Sequence, residues 1–441
     1  MKLSSLMVGA LALTTTALTP TQADPLSDAI AEDYSYLGAL FTHFHQNPEL
    51  SFVETKTAAR MAQELSALGF TVTTGVGGTG LVAIMENGEG PRVLVRADMD
   101  GLPVEEDTGL AYASTVRQKN REGIESPVMH ACGHDMHMTS LVGTARRLAA
   151  TRDSWSGTLM LVGQPAEERI GGAKAMIADN LYERFGRPDY ALALHVAAGE
   201  PAGKLIYSKG LAYSSSDSVD IRVYGVGTHG ASPHLGNDPV VLASQIVGAL
   251  QTLVAREISP LDAGVVTVGS FHAGRKHNII SDHADLQLTV RSNDEAVREK
   301  LLQGIKRIAE NMGRVAGLPE DKLPKVDLSV ESTPVTINNT ELAERIEGAF
   351  QKGFAADDLI IYQQKGMGAE DFPYFTNVTP PVPGFYFNVG GTPQADLDAQ
   401  ESGGPKVAGH HSPFFKIDPE ASIKSGVRAM TLAVMELMPA K

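Results

Sequence analysis

Residues that bind metal ions and move protons are concentrated in a few short stretches of this sequence. Residues 129–137 read M-H-A-C-G-H-D-M-H and contain Cys132, the only cysteine of the chain, together with three histidines. The further candidates are Glu167, Glu168, His195, His410 and His411. Thiolate, imidazole and carboxylate groups are the ligands that zinc-like ions prefer in proteins. The residue types therefore predict a metal site assembled from distant parts of the chain.

The spacing of these residues indicates two ions and a base. Cys132 and His134 are two positions apart, so one turn can direct a thiolate and an imidazole at the same ion. The predicted ligands are Cys132, His134, Glu168, His195 and His411, enough for two ions of low coordination with Cys132 as a bridge. Glu167 is then free to accept a proton from water and pass it to a leaving amine. The set predicts a metal-assisted hydrolase.

Each candidate also has an ordinary structural explanation when it is taken alone. Neighbouring carboxylates such as Glu167 and Glu168 usually occupy a solvated turn. A histidine in an apolar strand, such as His195, is often a hydrogen-bonded core residue, and a lone cysteine is commonly a small buried hydrophobe. The metal hypothesis is favoured because it accounts for all of them together.

The elements around these residues alternate between strand and helix. Apolar runs of strand length cover residues 92–96, 158–162 and 191–194, and helical patterns cover residues 138–150 and 172–185. This order predicts an α/β catalytic domain with a mostly parallel sheet flanked by helices. Sites in such sheets form beyond the carboxyl ends of the strands, which is where the candidate residues stand.

Residues 216–333 follow a different pattern. The predicted order is strand 219–224, helix 239–256, strand 265–271, strand 285–290, helix 296–316 and strand 326–330. This is the β-α-β-β-α-β order of a ferredoxin-like unit. We therefore expect a catalytic domain in two parts, residues 24–215 and 334–441, interrupted by an α+β domain at residues 216–333.

The N-terminus predicts a signal peptide over residues 1–23. Lys2 precedes an apolar stretch that is too short to span a bilayer comfortably, and Thr21 and Ala23 are small residues placed for cleavage before Asp24. A buried first helix or a membrane anchor is the alternative. We expect export to the periplasm or the medium, where metal coordination would explain a single unpaired cysteine. After processing we expect no stretch apolar enough to span a membrane.

The composition is that of a globular protein and disfavours nucleic acid as a partner. The 441 residues exceed what one hydrophobic core usually serves. Lys+Arg number 37 against 52 Asp+Glu, a formal net charge of −15. Nucleic-acid binding rests on an excess of Lys and Arg that neutralises phosphates.

Eight motifs give this chain a family resemblance. In order they are H-Q-N-P-E-L-S at residues 45–51, R-A-D-M-D-G-L-P, M-H-A-C-G-H-D-M-H, Q-P-A-E-E, A-L-H-V, H-G-A-S-P-H, G-A-E-D-F and H-H-S-P-F-F. Together they resemble the dinuclear-metal aminoacylase and carboxypeptidase family. Within it, the chain is most similar to the amidohydrolase branch of hippurate hydrolases, auxin-conjugate hydrolases and N-acyl-diaminopimelate deacetylases. The resemblance implies that the ferredoxin-like domain is a lid that pairs with its twin in a homodimer.

Position by position, the resemblance implies the same ligands and the same general base as the spacing does. Asp100 matches an aspartate that orients a liganding group. His229 matches a lid histidine that reaches the substrate carbonyl and would stabilise the oxyanion, in the site of the neighbouring subunit. Asn278 and Arg291 match lid positions that could hold a substrate carboxylate, which suits a guanidinium. For Arg291, a plain strand-surface arginine is the alternative.

Three positions near the motifs have no role assigned by the resemblance. Asp98 stands where other branches have a metal-binding histidine. Glu370, in G-A-E-D-F, matches a residue near the site in relatives. Arg169 follows Glu168 where relatives usually have glycine, and we expect it to add a bulky cation near the metal pocket.

The resemblance implies hydrolysis of the amide bond of an N-acyl or N-aroyl amino acid. It implies two divalent ions per subunit, zinc or manganese, with cobalt or nickel as alternatives. Two other function classes stay open. One is a metallo-carboxypeptidase or dipeptidase acting on short peptides, and the other is a non-catalytic exported binding protein on the same fold.

Overall fold

The computed structural model describes residues 24–441, so the predicted signal peptide lies outside the described residues. The first strands are β1 (Thr71–Val76), β2 (Gly80–Asn87), β3 (Arg92–Asp98), β4 (Arg117–Lys119), β5 (Glu125–Pro127), β6 (Gly157–Gln164), β7 (Tyr190–Pro201), β8 (Leu205–Tyr207) and β9 (Leu211–Tyr213). They are followed by β10 (Ser216–Tyr224), β11 (Thr228–His229), β12 (Gly264–Ala273), β13 (Ile279–Ile280), β14 (His283–Ser292), β15 (Lys325–Thr333), β16 (Thr336–Ile337), β17 (Leu359–Ile361) and β18 (Gly384–Thr392). The α-helices are α1 (Pro25–Gln46), α2 (Thr55–Ala67), α3 (His134–Ala150), α4 (Gly172–Ala178), α5 (Leu181–Phe185), α6 (Pro239–Thr252), α7 (Glu295–Val315), α8 (Thr340–Gly353), α9 (Pro373–Thr376), α10 (Gln394–Glu401) and α11 (Pro419–Leu437).

Eight strands form one large sheet in the order β1-β2-β6-β3-β7-β18-β8-β17. Its four central strands, β6, β3, β7 and β18, are parallel. Although β18 comes late in the chain, it pairs with β7, so segments from both sides of the ferredoxin-like insertion build this sheet. The predicted α/β fold class, with a large sheet that is parallel at its centre, is confirmed.

Side-chain alternation gives the large sheet two apolar faces. In β3, Val93 and Val95 join a core shared with α1, α3 and α11, whereas Leu94 joins a core on the other face, shared with α4, α5 and α9. Successive side chains of a strand point to opposite faces. Because both faces are covered by helices, only the strand ends remain available for a site.

A second sheet has the order β12-β14-β10-β15, and its neighbouring strands are all antiparallel. Together with α6 and α7 it encloses a hydrophobic core of its own, built around Ile221, Ile246, Leu286 and Ile305. This strand order is that of a ferredoxin-like unit, as the sequence predicted. Its first strand begins at Ser216 and its last strand ends at Thr333.

Two sequence predictions are wrong in detail. Residues 172–185 form two short helices instead of one, because Asn180 adopts a left-handed conformation with a φ of 57°. The strand predicted at residues 191–194 is longer than expected, since β7 continues through His195 to Pro201 along β18. Pairing of β7 with β3 stops at Ala193. His195 therefore lies beyond the part of β7 that pairs with β3.

One helix is more apolar than we expected for the mature chain. Pro239–Glu257, which is α6 with a short continuation, is long and apolar enough by length and composition to cross a membrane. The expectation that no such stretch follows the N-terminus is therefore wrong. Leu242, Ile246 and Leu250 of this helix pack into the core of the second sheet, which explains part of its apolar character.

Candidate metal and catalytic site

The candidate residues meet at one edge of the large sheet, beyond the carboxyl ends of its parallel central strands. Asp98 is the last residue of β3, and Glu167 and Glu168 lie in the turn that follows β6. Helix α3 begins at His134, two residues after Cys132. This placement is the one that the strand-end argument predicted.

Gly133 allows Cys132 and His134 to approach each other. Its φ is 86°, and a Cβ at this position would lie 2.2 Å from Val196 Cγ1. A side chain here would meet both a disfavoured backbone conformation and a packed neighbour. Ligand-type atoms of Cys132, His134 and His195 lie within 4.8 Å of one another. The structure therefore brings these three predicted ligands together.

Asp100 holds the turn that carries the two glutamates. Its Oδ1 and Oδ2 accept the backbone N–H groups of Glu167 and Glu168, each at 3.1 Å. Oδ1 also lies 3.4 Å from Nδ1 of His134, and the Ser51 hydroxyl donates to Oδ2 at 2.7 Å. Asp100 thus connects a predicted ligand to the turn, which is compatible with the orienting role that the resemblance implied.

His195 is oriented by its own strand. Its Nδ1–H donates to the carbonyl oxygen of Val196 at 2.6 Å, so Nε2 is left with a free lone pair 3.4 Å from the Cys132 sulfur. Burial, reinforced by His137 and His410, lowers the pKa of His195 well below its ordinary value. The ring is therefore neutral, which is the form that binds metal ions.

His411 approaches the cluster from the C-terminal part of the chain. Its backbone N–H donates to the Ala131 carbonyl at 2.8 Å, and its Nε2 lies 3.4 Å from Oε2 of Glu168. Ligand-type atoms of Cys132, Glu168 and His411 form a second group within 4.8 Å of one another. Cys132 belongs to both groups. The neighbouring His410 instead accepts the Ala198 N–H at 3.1 Å.

Buried polar atoms without partners show that the residues fit metal ions. Nε2 of His134, the ring nitrogen that does not face Asp100, and Oε1 of Glu168 have no hydrogen-bond partner among residues 24–441. Buried polar groups in proteins are nearly always paired. Imidazole nitrogen and carboxylate oxygen are also ordinary ligands of a divalent ion, so the donor set matches such an ion.

The pKa shifts of the acidic groups in the cluster also favour a bound cation. Burial raises the pKa of Glu167 well above its ordinary value, and repulsion from Glu370 and Glu168 adds to this shift. Burial raises the pKa of Glu168 to about 8, although His134 opposes the shift. Burial and the two neighbouring glutamates also raise the pKa of the Cys132 thiol. A cation would offset this repulsion and favour the ionised forms.

A buried ion-pair network that the sequence reasoning missed lies beneath the site. The Arg96 guanidinium donates to Oδ2 of Asp98 at 2.6 Å and to Oε1 of Glu370 at 2.7 Å. The Tyr386 hydroxyl donates to Glu370 at 2.6 Å. An arginine inside an apolar strand is the signal that could have revealed this network, because a buried guanidinium requires carboxylate partners.

Asp98, the last residue of β3, whose role the sequence left open, is linked to β7 through His137 of α3. His137 Nδ1–H donates to its Oδ1 at 2.6 Å, while His137 Nε2 accepts the Val196 N–H at 2.8 Å. Burial opposes the charge of Asp98, but Arg96 and His134 lower its pKa well below the ordinary value. Asp98 is therefore an ionised group 3.7 Å from Nε2 of His134.

The cluster opens into a cavity of about 590 Å³. Cys132, Glu167 and His195 line it, and so does Arg291 of β14. Its largely apolar wall includes Ile206, Ala212, Tyr213, Tyr362 and Met367. Arg291 donates to the Ser216 hydroxyl. Among residues 24–441 no carboxylate lies within ion-pair distance of its guanidinium.

The other two lid residues predicted to contact substrate do not line this cavity. His229 is exposed on β11, which pairs with β13 next to Asn278. The Gly230 N–H donates to the Asn278 carbonyl at 2.8 Å, so the two predicted residues lie side by side. The Asn278 side-chain oxygen is buried and has no partner within the described part of the chain.

Arg169 forms an ion pair with the second sheet. Its Nε donates to Oε1 of Glu331 on β15 at 2.6 Å, and both side chains are substantially exposed. Arg169 is not among the residues that line the cavity. Arg169 therefore stands next to the cavity, between the lining residues Glu168 and Ile170, but its charge is paired with a carboxylate on the second sheet.

Comparison with known proteins identifies the family of this chain. Residues 94–436 match the family described as Peptidase family M20/M25/M40. The chain belongs to this family. M20 proteins are metal-binding hydrolases that act on amide bonds, so the resemblance read from the eight motifs and the enzyme class are confirmed.

Three M20 relatives illustrate the range of similar proteins. Hippurate hydrolase of Campylobacter jejuni is 38% identical over 332 residues, which cover 75% of this chain and 82% of the relative. Thermostable carboxypeptidase 2 of Saccharolobus solfataricus is 34% identical over 371 residues, which cover 83% of this chain and 88% of the relative. A crystal structure of a Bacillus subtilis protein is described as a dinuclear metal binding peptidase from the M20 family. It matches this chain with a TM-score of 0.73 at 26% identity, over 92% of this chain and 99% of the solved chain.

Proposed function

We propose that this chain cleaves N-acyl or N-aroyl amino acids into an acid and an amine, using two divalent metal ions. The observation that carries the proposal is one cavity lined both by Glu167 within the ligand cluster and by Arg291, whose guanidinium lacks a carboxylate partner in residues 24–441. An N-acyl amino acid has the two matching features, an amide bond and a free carboxylate. The relative named hippurate hydrolase supports the same substrate class.

The predicted ligands would hold both ions. They are Cys132, His134, Glu168, His195 and His411. When bound, the ions supply polarisation of the scissile carbonyl and acidification of a water molecule. Zinc or manganese is the proposed metal, with cobalt or nickel as alternatives, because the set mixes thiolate, imidazole and carboxylate.

Glu167 is the proposed general base. Its Oε2 lies 3.8 Å from Nε2 of His134, beside the predicted ligands, and its side chain is buried at the cavity wall. It accepts a proton from the attacking water and returns it to the nitrogen of the leaving amine. Asp100 keeps this carboxylate in place by accepting the Glu167 backbone N–H. Arg291 binds the substrate carboxylate and thereby orients the amide bond.

A homodimer formed through the lid is part of the proposal. His229 would donate a hydrogen bond to the developing oxyanion, yet it lies outside the lining of the cavity in its own chain. Its proximity to Asn278 makes the two residues a unit that a neighbouring subunit could use. Export to the periplasm or the medium is also proposed, on the pattern of residues 1–23.

A metallo-carboxypeptidase is the second candidate. The relative named thermostable carboxypeptidase 2 favours it, and a guanidinium suits the C-terminal carboxylate of a peptide as well as that of an acyl amino acid. The two candidates differ in the group that occupies the apolar wall of the cavity. An aromatic or aliphatic acyl group fits this wall better than the charged N-terminus of a dipeptide does.

The experiment that tests the proposal is elemental analysis of the purified mature protein, combined with a substrate panel. The panel contains hippurate-type acyl amino acids and dipeptides, each with and without added zinc, manganese, cobalt or nickel. About two ions per chain with faster cleavage of acyl amino acids is the expected result. Faster cleavage of dipeptides would support the carboxypeptidase. Absence of restorable metal and of any cleavage would favour a binding protein.

A further inference from the structure

We infer that Glu54 is a positioning residue that holds the turn carrying Glu167 and Glu168, through the backbone N–H of Ala166. Glu54 lies in the segment between the first family motif and α2, and it is completely buried. The kinetic consequence of this inference rests on the proposed function. The hydrogen bond and its effect on the turn do not depend on the proposed function.

The Glu54 carboxylate accepts three hydrogen bonds. Its Oε1 accepts the N–H of Phe52 at 2.9 Å and that of Ala166 at 2.8 Å. Its Oε2 accepts the Thr79 hydroxyl. No cation forms an ion pair with Glu54 among residues 24–441, and its side chain makes no capping bond to α2. The carboxylate therefore acts here as an acceptor of hydrogen bonds.

Ala166 enters this turn in a backbone conformation that needs external support. It has φ 49° and ψ 43°, the left-handed region that residues with a Cβ adopt at a cost. Such a conformation persists where the surroundings over-determine it. The bond from Ala166 N–H to Glu54 Oε1 is a contact of this kind, made across 112 positions of the chain.

The same turn is held from its other side by Asp100. Because Asp100 accepts the N–H groups of Glu167 and Glu168, three successive backbone amides donate to two buried carboxylates. Asp100 orients the second half of the turn, whereas Glu54 determines how the chain enters it. The direction of the Glu167 side chain depends on both, and small displacements of a catalytic group lower turnover strongly.

Two substitutions separate the acceptor role of Glu54 from its charge. Glu54→Gln keeps a side-chain oxygen that can accept the N–H groups of Ala166 and Phe52. Its amide NH₂ group then faces Thr79, whose hydroxyl oxygen can accept a hydrogen bond. Glu54→Asp keeps the negative charge, but its side chain is one methylene shorter, so the carboxylate oxygen is moved away from the Ala166 N–H. We expect Glu54→Gln to stay within about threefold of wild-type kcat, and Glu54→Asp to lose about tenfold or more with little change in KM.

Hydrogen exchange provides a readout that does not depend on turnover. In the metal-free full chain, we expect the amides of residues 166–168 to exchange about tenfold faster in Glu54→Asp than in wild type. We expect no such change in Glu54→Gln. Glu49→Asp is the matched control, because Glu49 is a buried carboxylate whose side chain accepts the Thr57 N–H at 2.7 Å and the Thr57 hydroxyl, and within residues 24–441 it makes no hydrogen bond to residues 166–168.

The outcomes distinguish this inference from the proposed function. Exchange at residues 166–168 that is unchanged in Glu54→Asp, or equally fast in Glu54→Gln or Glu49→Asp, would overturn the positioning role. If the wild-type chain cleaves no substrate in the panel, the proposed function fails, and the exchange measurement still decides the role of Glu54. An altered pH profile with normal exchange would assign Glu54 an electrostatic role and likewise overturn the inference.

Discussion

At the scale of single residues, Glu167 is the side chain on which turnover should depend. Glu167→Ala removes the base but leaves the five predicted ligands, so we expect kcat to fall by about 10²–10⁴-fold with metal content unchanged. Steady-state kinetics and elemental analysis of one preparation measure both quantities. Glu122→Ala, at an exposed glutamate, is the control and should resemble wild type. Turnover at the wild-type rate in Glu167→Ala would exclude Glu167 as the base.

Cys132 should determine how much metal the protein holds. Its sulfur belongs to both groups of ligand-type atoms, one with His134 and His195 and one with Glu168 and His411. We expect Cys132→Ala to lose about one ion or more per chain, because a bridging ligand contributes to both sites. Elemental analysis after dialysis gives the number of metal ions per chain. An unchanged metal content in this variant would remove Cys132 from the site.

At the scale of elements, His45 ties the end of α1 to the start of α3. Its Nδ1 lies 2.7 Å from Oδ2 of Asp135, and its Nε2 lies 3.1 Å from Oε1 of Glu106. Burial opposes protonation of the imidazole, but the bonds to these two carboxylates outweigh burial and raise the pKa of His45 to about 9. The contact between the two helices therefore contains a charged histidine at neutral pH.

This charged contact predicts a pH dependence of stability. A histidine with a raised folded-state pKa stabilises the fold below its unfolded pKa of 6.5, and the contribution is lost as the pH rises through about 9. Between about pH 6 and about pH 10, wild type should therefore lose on the order of 3 kcal/mol of unfolding free energy relative to His45→Gln. Denaturant unfolding of both proteins at the two pH values tests this. Equal losses in the two proteins would contradict the assignment.

At the scale of the whole molecule, the position of His229 predicts complementation between subunits. If His229 serves the neighbouring site, Glu167→Ala and His229→Ala chains form heterodimers with one complete site out of two. Random pairing makes about half of the dimers mixed, so co-expression should restore about a quarter of wild-type activity. Co-expression of Glu167→Ala with the double variant Glu167→Ala/His229→Ala leaves no complete site and is the control. Activity no higher than that of the separate variants would contradict a shared site.

Much of the architecture was predictable from local sequence. Strand and helix periodicity located β3, β6 and β7 of the four central strands and the order of elements in the second sheet, because these patterns depend on neighbours a few positions away. The start of α6 shows the same locality. The helix predicted to start at residue 239 does start there, because Pro239 follows Asp238 and the Asp238 carboxylate accepts the Val240 N–H at 2.9 Å. The break at Asn180 escaped prediction, since its left-handed conformation carries only a weak sequence signal.

The sequence by itself determined which residues are candidates for the chemistry. Cys132 and His134 on one turn, and Glu167 beside Glu168 on another, have ligand types and spacings that are properties of adjacent positions. The tertiary structure alone decided what supports them. Arg96 meets Glu370 across 274 positions and Glu54 meets Ala166 across 112. Such contacts have no local pattern, because a buried polar group pairs with whichever donor or acceptor the folding of the sheet brings beside it.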